Sequence, residues 1–453
     1  MPFGLYPLGF HAPTALIAGL WGDLGRSGLA TAALVHAFFP VAVYLCLRRG
    51  PGLDAPALAA AVAVVWLARS PQNYVGWGGN PSVLGTAFAL VALRRLADAL
   101  DSGERRAWLE AALLAVATAL THPTAAAVAC YAGLALLLWR LIVRRDLGRE
   151  RLGAALPALL VGLVLLAPLV SVLRDLELSG SERAWIQANL KSPPPAPAPG
   201  FAGAFRHLSG QCGDTLLMVV LVVGLLRVPR DRGRGLLAAA AALVAVEVLA
   251  VLAVGSWLPL TTTVVPDRVI PFALPVVALP LRGGFDDLGR AGARWRRGGR
   301  ARLGAAVQLA VAVVLVVLVV AKHLHYHHRG LREGQIVTRA DREALDWIAE
   351  HAPPEGLIVT EYFDAGQFVP ALAGRPHSQP QLNPIWADEG KGAVAAMTPV
   401  LGFTGARTWA GRERAPADPR QGEAVFERAG ATGTARVWRI APPATATPAR
   451  PTP

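Results

Sequence analysis

Residues 80–145 read NPSVLGTAFALVALRRLADALDSGERRAWLEAALLAVATALTHPTAAAVACYAGLALLLWRLIVRR, and this stretch decides the fold. It contains three apolar runs, at roughly 81–97, 106–121 and 124–143, each of spanning or near-spanning length for a bilayer. Arg94, Arg95, Arg105 and Arg106 separate the first two runs, and arginines one turn from a membrane boundary snorkel to the headgroups. Only His122-Pro123 separates the second from the third. Proline disfavours helical geometry in the residue before it, so this dipeptide predicts a break and a tight re-entry.

Working outward, further apolar runs occur at roughly 31–47, 55–69, 154–173, 213–228, 234–258, 264–282 and 302–322, for about ten membrane helices. The whole 453-residue chain agrees: 53% of it is hydrophobic, 17% is charged and its mean hydropathy is +0.41, which excludes an ordinary soluble enzyme. The net charge of +13 is a topology signal and not a nucleic-acid signal. Alternate loops hold Arg48 and Arg49, then Arg94 to Arg106, then Arg144 to Arg151, then Arg227 to Arg234, then the cluster Arg282 to Arg302. The intervening loops 70–80, 121–124 and 258–265 contain no Lys or Arg. Basic residues in short loops stay cytoplasmic, so the arginine-free loops and the C-terminal tail are expected outside. All but three of the 44 basic residues are arginine, the composition of a GC-rich genome. Cys46, Cys130 and Cys212 are scattered and encode neither a disulfide framework nor a metal motif.

This topology places residues 1–28 on the outer face as an interfacial segment, with neither a signal-peptide pattern nor a convincing span to carry them there. The expectation is that one upstream helix and its outer loop are absent from this chain. The membrane domain covers 29–322, and an extracytoplasmic α/β domain covers 323–441. In that domain Thr338 is read as an N-cap with Asp341 at N3, Ala344, Leu345 and Ile348 as one apolar stripe, and Pro353-Pro354 as the stop. A strand is expected at Leu357 to Thr360, a short helix at Gln367 to Leu372, a strand at Val437 to Ile440, and a disordered tail over 442–453.

No Walker loop, GxGxxG after a strand or HExxH is present, so polar groups within the bilayer or at its outer side carry the functional reading. Glu247 lies near the middle of an apolar run, where an ionised carboxylate is costly unless paired or set in a wet cavity. Asp267 and Arg268 follow Thr261-Thr262-Thr263 at an outer helix mouth, where a guanidinium fork suits a lipid-linked phosphate and an interfacial ion pair is the plainer alternative. His11 and His122 are candidate donors to a phosphate or sugar hydroxyl, or else packing and turn-capping groups. The uncharged loop SPQNYVGWGGNPS, residues 70–82, offers Tyr74, Trp77, Asn73 and Asn80 for stacking on a sugar and bonding its hydroxyls, and an aromatic belt would use the same residues. His323, His325, His327 and His328 include an i, i+4 pair but no carboxylate at a ligand-like spacing, so no metal is assigned.

Five stretches occur in order: YPLGFHAP (6–13), WGGNPSVLGTAFALVAL (77–93), LTHP (120–123), PDRVIPFALP (266–275) and DREALDWIAEHAPPEGLIVTEYFDAGQFVPALAGRP (341–376). Together they resemble the GT-C class of polytopic membrane glycosyltransferases, including bacterial arabinofuranosyl- and mannosyltransferase-like families and, more distantly, the catalytic subunit of oligosaccharyltransferase. The resemblance implies transfer of a sugar from a polyprenyl-phosphate donor to a glycan, lipid or protein acceptor at the outer face of the bacterial cytoplasmic membrane. It implies a carboxylate base in a first outer loop, for which this chain offers Asp267 or Asp364 as fallbacks, and it places Asp364 and Gly366 where an acceptor-binding motif stands in the oligosaccharyltransferase branch. Divalent metal dependence is left open. A noncatalytic assembly partner of the same fold and a lipid or polysaccharide transporter are the rival readings; the inverted repeats expected of a transporter are not evident.

Overall fold

The computed structural model describes residues 8–22, 24–48, 52–67, 80–145, 148, 150, 153–174, 272, 274–298, single positions between 302 and 325, 337–360, 364–378, 397–407, 421–431 and 433–440. The chain is mostly helical with one small sheet, and its contacts divide into two units, the first ending at Gly330 and the second beginning at Leu331.

The first unit contains helices α1 (Leu8–Trp21), α2 (Leu24–Leu47), α3 (Ala55–Leu67), α4 (Asn80–Ser102), α5 (Arg105–Thr121), α6 (Pro123–Trp139, continued by a π-turn Arg140–Arg144), α7 (Leu156–Arg174) and α8 (Leu274–Arg297). Helix α4 is the centre, buried along most of its length and packed against α2, α5 and α6. Small side chains allow the close approach: Ala57, Ala60, Ala61 and Val64 form an i, i+3, i+4, i+7 stripe on α3, completely buried beside α2 and α8. The break at His122-Pro123 falls where the sequence puts it, because α5 ends at Thr121 and Pro123 starts α6 with the one residue type that needs no N–H there.

The structure adds to one expectation and corrects another. Within the 1–28 segment α1 is a 14-residue helix despite Pro13, Phe10 joins the core, and α2 begins at Leu24, seven residues before the apolar run at 31. The Arg282 to Arg302 stretch is not a loop as far as Arg297, because α8 continues unbroken through it. Arg282 itself is buried in an ion pair, which keeps the helix attached to the bundle past the apolar run.

Among the described residues two helices are long and apolar enough to cross a membrane by length and composition, Arg26–Leu47 and Ala125–Ile142. The 22 residues of the first span about 33 Å at 1.5 Å per residue, against about 30 Å of bilayer hydrocarbon. Shorter apolar helices occur at Ala55–Val65 and Leu156–Ala167. Leu163 and Val164 on α7 are 66% and 71% exposed, an apolar surface that water does not favour. The apolar runs expected at 213–228 and 234–258 lie outside the described residues.

In the second unit α9 (Arg339–His351) opens with the expected capping box: Thr338 Oγ1 accepts the Asp341 amide while the Asp341 side chain accepts the Thr338 amide. Its stripe of Ala340, Ala344, Leu345 and Ile348 packs on a four-stranded sheet of order β1-β2-β4-β3. The strands are β1 (Leu357–Thr360), β2 (Pro399–Thr404), β3 (Gln421–Gly430) and β4 (Gly433–Ile440). β1 and β2 are parallel, while β4 pairs antiparallel with both β2 and β3. A 3-10 turn (Ala365–Phe368) and α10 (Val369–Ala373) occupy the place expected for the short helix. Strands β2 and β3 were not anticipated. β3 carries Glu423, Glu427 and Arg428 among its apolar positions and is largely exposed, so no period-2 alternation marks it.

Candidate functional site at the arginine-free end

The helical unit has two chemically different ends. At one end several charges, among the described residues, have a partner of opposite sign or a carbonyl. Arg94 Nη2 is 2.9 Å from Asp98 Oδ1, and Arg94 Nη1 donates to the Arg48 carbonyl at 3.1 Å. Arg95 Nε is 3.0 Å from Glu110 Oε2. The buried Arg140 pairs with Asp101 and donates to the Leu100 carbonyl at 2.8 Å. Arg282 Nη2 donates to Asp54 Oδ2 at 2.6 Å, while Asp54 Oδ1 accepts the Ala57 amide and so caps α3. These residues belong to the loops and helix ends that the arginine alternation groups on one side.

The other end is polar at the start of α4 and at the α5–α6 break, with Arg26 and Arg174 at the termini of α2 and α7, and α4 is its wedge. Asn80 and Ser82 sit two residues apart in the first turn, roughly 200° apart around the helix, and so face different neighbours. Asn80 is buried, and its Oδ1 accepts a hydrogen bond from His36 Nε2 on α2 at 3.1 Å. Ser82, on the other face, is 3.0 Å from His122 Nε2 at the α5–α6 break. The Ala125 amide donates to His122 Nδ1 at 3.4 Å, capping α6. With Nδ1 turned to the Ala125 amide, Nε2 is the ring nitrogen that faces Ser82 Oγ.

Close backbone approach holds this end together. A Cβ on Gly85 of α4 would stand 2.8 Å from the His122 Cβ and 3.0 Å from the Ala125 Cβ. A Cβ on Gly9 of α1 would strike Thr121. Thus Gly9, Gly85 and the Thr121-His122 break, far apart in the chain, pack closely together. Phe10, Val83, Leu84, Phe272 and Leu274 fall in one buried cluster, which brings PDRVIPFALP to it as well.

The anticipated residues fare unequally. Asn80 is the buried first residue of a helix and not part of a loop. His122 uses both ring nitrogens on the fold. His11 is exposed on α1, edge-on to the Phe10 ring at 5.6 Å. Tyr74, Trp77, Glu247, Asp267 and Arg268 lie outside the described residues, as do His323, His327 and His328. Asp364 is completely buried, with Oδ1 accepting the Gly366 amide and Oδ2 the Gly405 amide, both at 2.6 Å. His36 and Ser82 were missed; a histidine in the middle of an apolar run is a legible signal, a serine in a helix is not. Among the described residues no group of three or more His, Cys, Asp or Glu is placed to hold a metal ion.

A helical bundle with one arginine-rich end and a polar cluster at the other, followed in the chain by a small α/β unit, defines a class of mostly helical proteins with apolar, membrane-length helices. The chain belongs to DUF6541, a family of unknown function, whose model matches residues 1–397. No curated protein matches. Among solved structures it is similar to the oligosaccharyltransferase AglB of the archaeon Archaeoglobus fulgidus, a complex with an inhibitory peptide and a dolichol-phosphate, at 14% identity and a TM-score of 0.43 over 88% of this chain. The match spans 61% of the length of AglB.

Proposed function

We propose that this protein is a GT-C-type membrane glycosyltransferase that moves a sugar from a polyprenyl-phosphate donor to an acceptor at the outer face of the cytoplasmic membrane, with the end of the arginine-free α5–α6 break as its working end. One observation carries the reading: of the five stretches that bear the family resemblance, three contribute to one buried core cluster and a fourth, LTHP, packs closely on two of them through Gly9 and Gly85. In this reading Arg268, four residues before Phe272, clamps the donor phosphate, Glu247 lines the cavity, and Tyr74, Trp77 and Asn80 flank the sugar with His11 and His122 nearby. The acceptor hydroxyl oxygen forms the new bond to the anomeric carbon, a carboxylate takes its proton, and polyprenyl phosphate leaves with the electron pair of the broken C–O bond. Of the two fallback bases the reading favours Asp267, because both oxygens of Asp364 are already held by amides. That also makes Asp364 and Gly366 a frame for an acceptor more than direct contacts to it.

The test is sugar transfer from a labelled polyprenyl-phosphate donor by the protein in vesicles. Arg268→Lys is expected to lose most of the turnover, since a point charge does not reproduce a bidentate fork. Full turnover in Arg268→Ala removes that residue from the site, and reporter fusions placing Gly374 in the cytoplasm reject the outer-face reading.

A second reading, a noncatalytic assembly partner of the same fold, is favoured by the way His36, Asn80, Ser82 and His122 are engaged with one another. It expects no turnover from the protein alone, whatever donor is supplied.

A further inference from the structure

The sequence assigns Arg282 to Arg302 to a loop, but the structure turns its first 16 residues into the second half of α8, and that half is two-faced. Arg290, Arg294 and Arg297 follow an i, i+4, i+7 spacing, lie within about 60° of one another around the helix and are all exposed, Arg290 with an exposed ion pair to Asp287 one turn back. The opposite side carries Phe285, Leu288, Gly292 and Trp295. Phe285 packs on the bundle core, Gly292 is buried, and Trp295 is 37% exposed. Arg282, at the start of this half, is pinned to Asp54 at the first turn of α3. The arginine stripe therefore lies about two to four turns beyond Arg282 at the charged end of the bundle.

We propose that this arginine stripe is a binding surface for the anionic headgroups of the cytoplasmic leaflet. Charge complementarity and place together select this occupant. The stretch from Arg282 to Arg302 has seven arginines against Asp286 and Asp287, and it directly continues an apolar helix segment. Basic clusters on the cytoplasmic side of a membrane helix are drawn to the negative lipid surface, an attraction that falls off over a Debye length. The proposal rests on the membrane topology given above but not on sugar transfer.

The test uses the full chain in bilayers containing brominated lipids, which quench tryptophan on contact. The Trp295 signal is taken as the difference between the native protein and Trp295→Phe. Brominated phosphatidylglycerol should quench Trp295 more strongly than brominated phosphatidylcholine, with the preference abolished near 0.5 M salt. Arg290→Gln, Arg294→Gln and Arg297→Gln combined should lower the preference roughly tenfold or more, given about fivefold per basic residue at an anionic surface. The corresponding three Arg→Lys changes should retain it, because the attraction is by charge and not by a fork. Equal quenching by the two lipids overturns the proposal and leaves the topology standing. No quenching by either lipid overturns the proposal as well. A preference that survives the triple Gln variant assigns the selectivity to another surface and overturns the proposal.

Discussion

Asp341 and Asp364, 23 positions apart, hold two consecutive backbone amides: the Ala406 amide donates to Asp341 Oδ1 and the Gly405 amide to Asp364 Oδ2, each at 2.6 Å. Both carboxylates are completely buried, and each also starts a helical turn, Asp341 through the Thr338 capping box and Asp364 through the Gly366 amide. The segment that leaves β2 is thereby tied to the first turn of α9 and to the turn after β1. A hydrogen bond to a charged group contributes about 1.5–3 kcal/mol, and its loss leaves a buried amide without an acceptor.

Asp364→Asn should therefore destabilise the α/β unit by about 2 kcal/mol, since the amide nitrogen of Asn faces an N–H donor on one side. Limited proteolysis of the full chain, followed through cleavage between residues 337 and 440, measures this. An unchanged cleavage rate would return Asp364 to the list of groups free for an acceptor.

At the polar end, His122→Ala removes the α6 cap and the Ser82 partner together. The expected cost is about 1–2 kcal/mol by analogy with other lost caps. A double-mutant cycle with Ser82→Ala should yield a coupling of about 0.6 kcal/mol, the scale of polar contacts between membrane helices. Thermal unfolding in detergent reports both, and zero coupling would mean the 3.0 Å contact contributes nothing.

Gly85→Ala tests the close approach. Its methyl group would stand 2.8 Å from the His122 Cβ, so α4 must move away from the α5–α6 break. Overpacking of this kind costs about 1–3 kcal/mol, and a melting temperature equal to that of the native protein would show that the helices have slack.

The Arg282–Asp54 pair, 5% and 14% exposed, should be intolerant of half-removal. Asp54→Asn leaves Arg282 buried without its counter-charge and weakens the α3 cap, at about 3–5 kcal/mol. Replacing both residues by apolar ones of similar size should be far milder. If the single and double changes unfold the protein equally, the cap and not the ion pair is the larger effect.

In the α/β unit burial lowers the pKa of His377 below its ordinary value of 6.5. The unfolded chain thus binds this proton more readily than the folded one, so the contribution of His377 is fully present above about pH 6.5 and declines as pH falls through the lowered folded value. The protease resistance of this unit should fall between pH 7 and pH 5, and His377→Gln should flatten that dependence. A slope unaffected by the substitution would assign the acid sensitivity elsewhere.

What the sequence determined by itself is local. The box at Thr338 and Asp341 forms because N-cap and N3 are three residues apart. The break at His122-Pro123 forms because proline constrains its neighbour, and β1 forms at Leu357–Thr360 because apolar β-branched residues follow a proline stop. The gathering of arginines at one end follows from charge alternation, which each loop encodes alone. Only the tertiary structure decided the rest. His36 meets Asn80 across 44 residues, Arg282 meets Asp54 across 228, and Asp341 meets Ala406 across 65. None of these pairs has a periodicity or a spacing to reveal it. Burial makes the choice: a polar group taken out of water must find a partner wherever the packed helices and strands bring one within about 3 Å, and that place is a property of the fold.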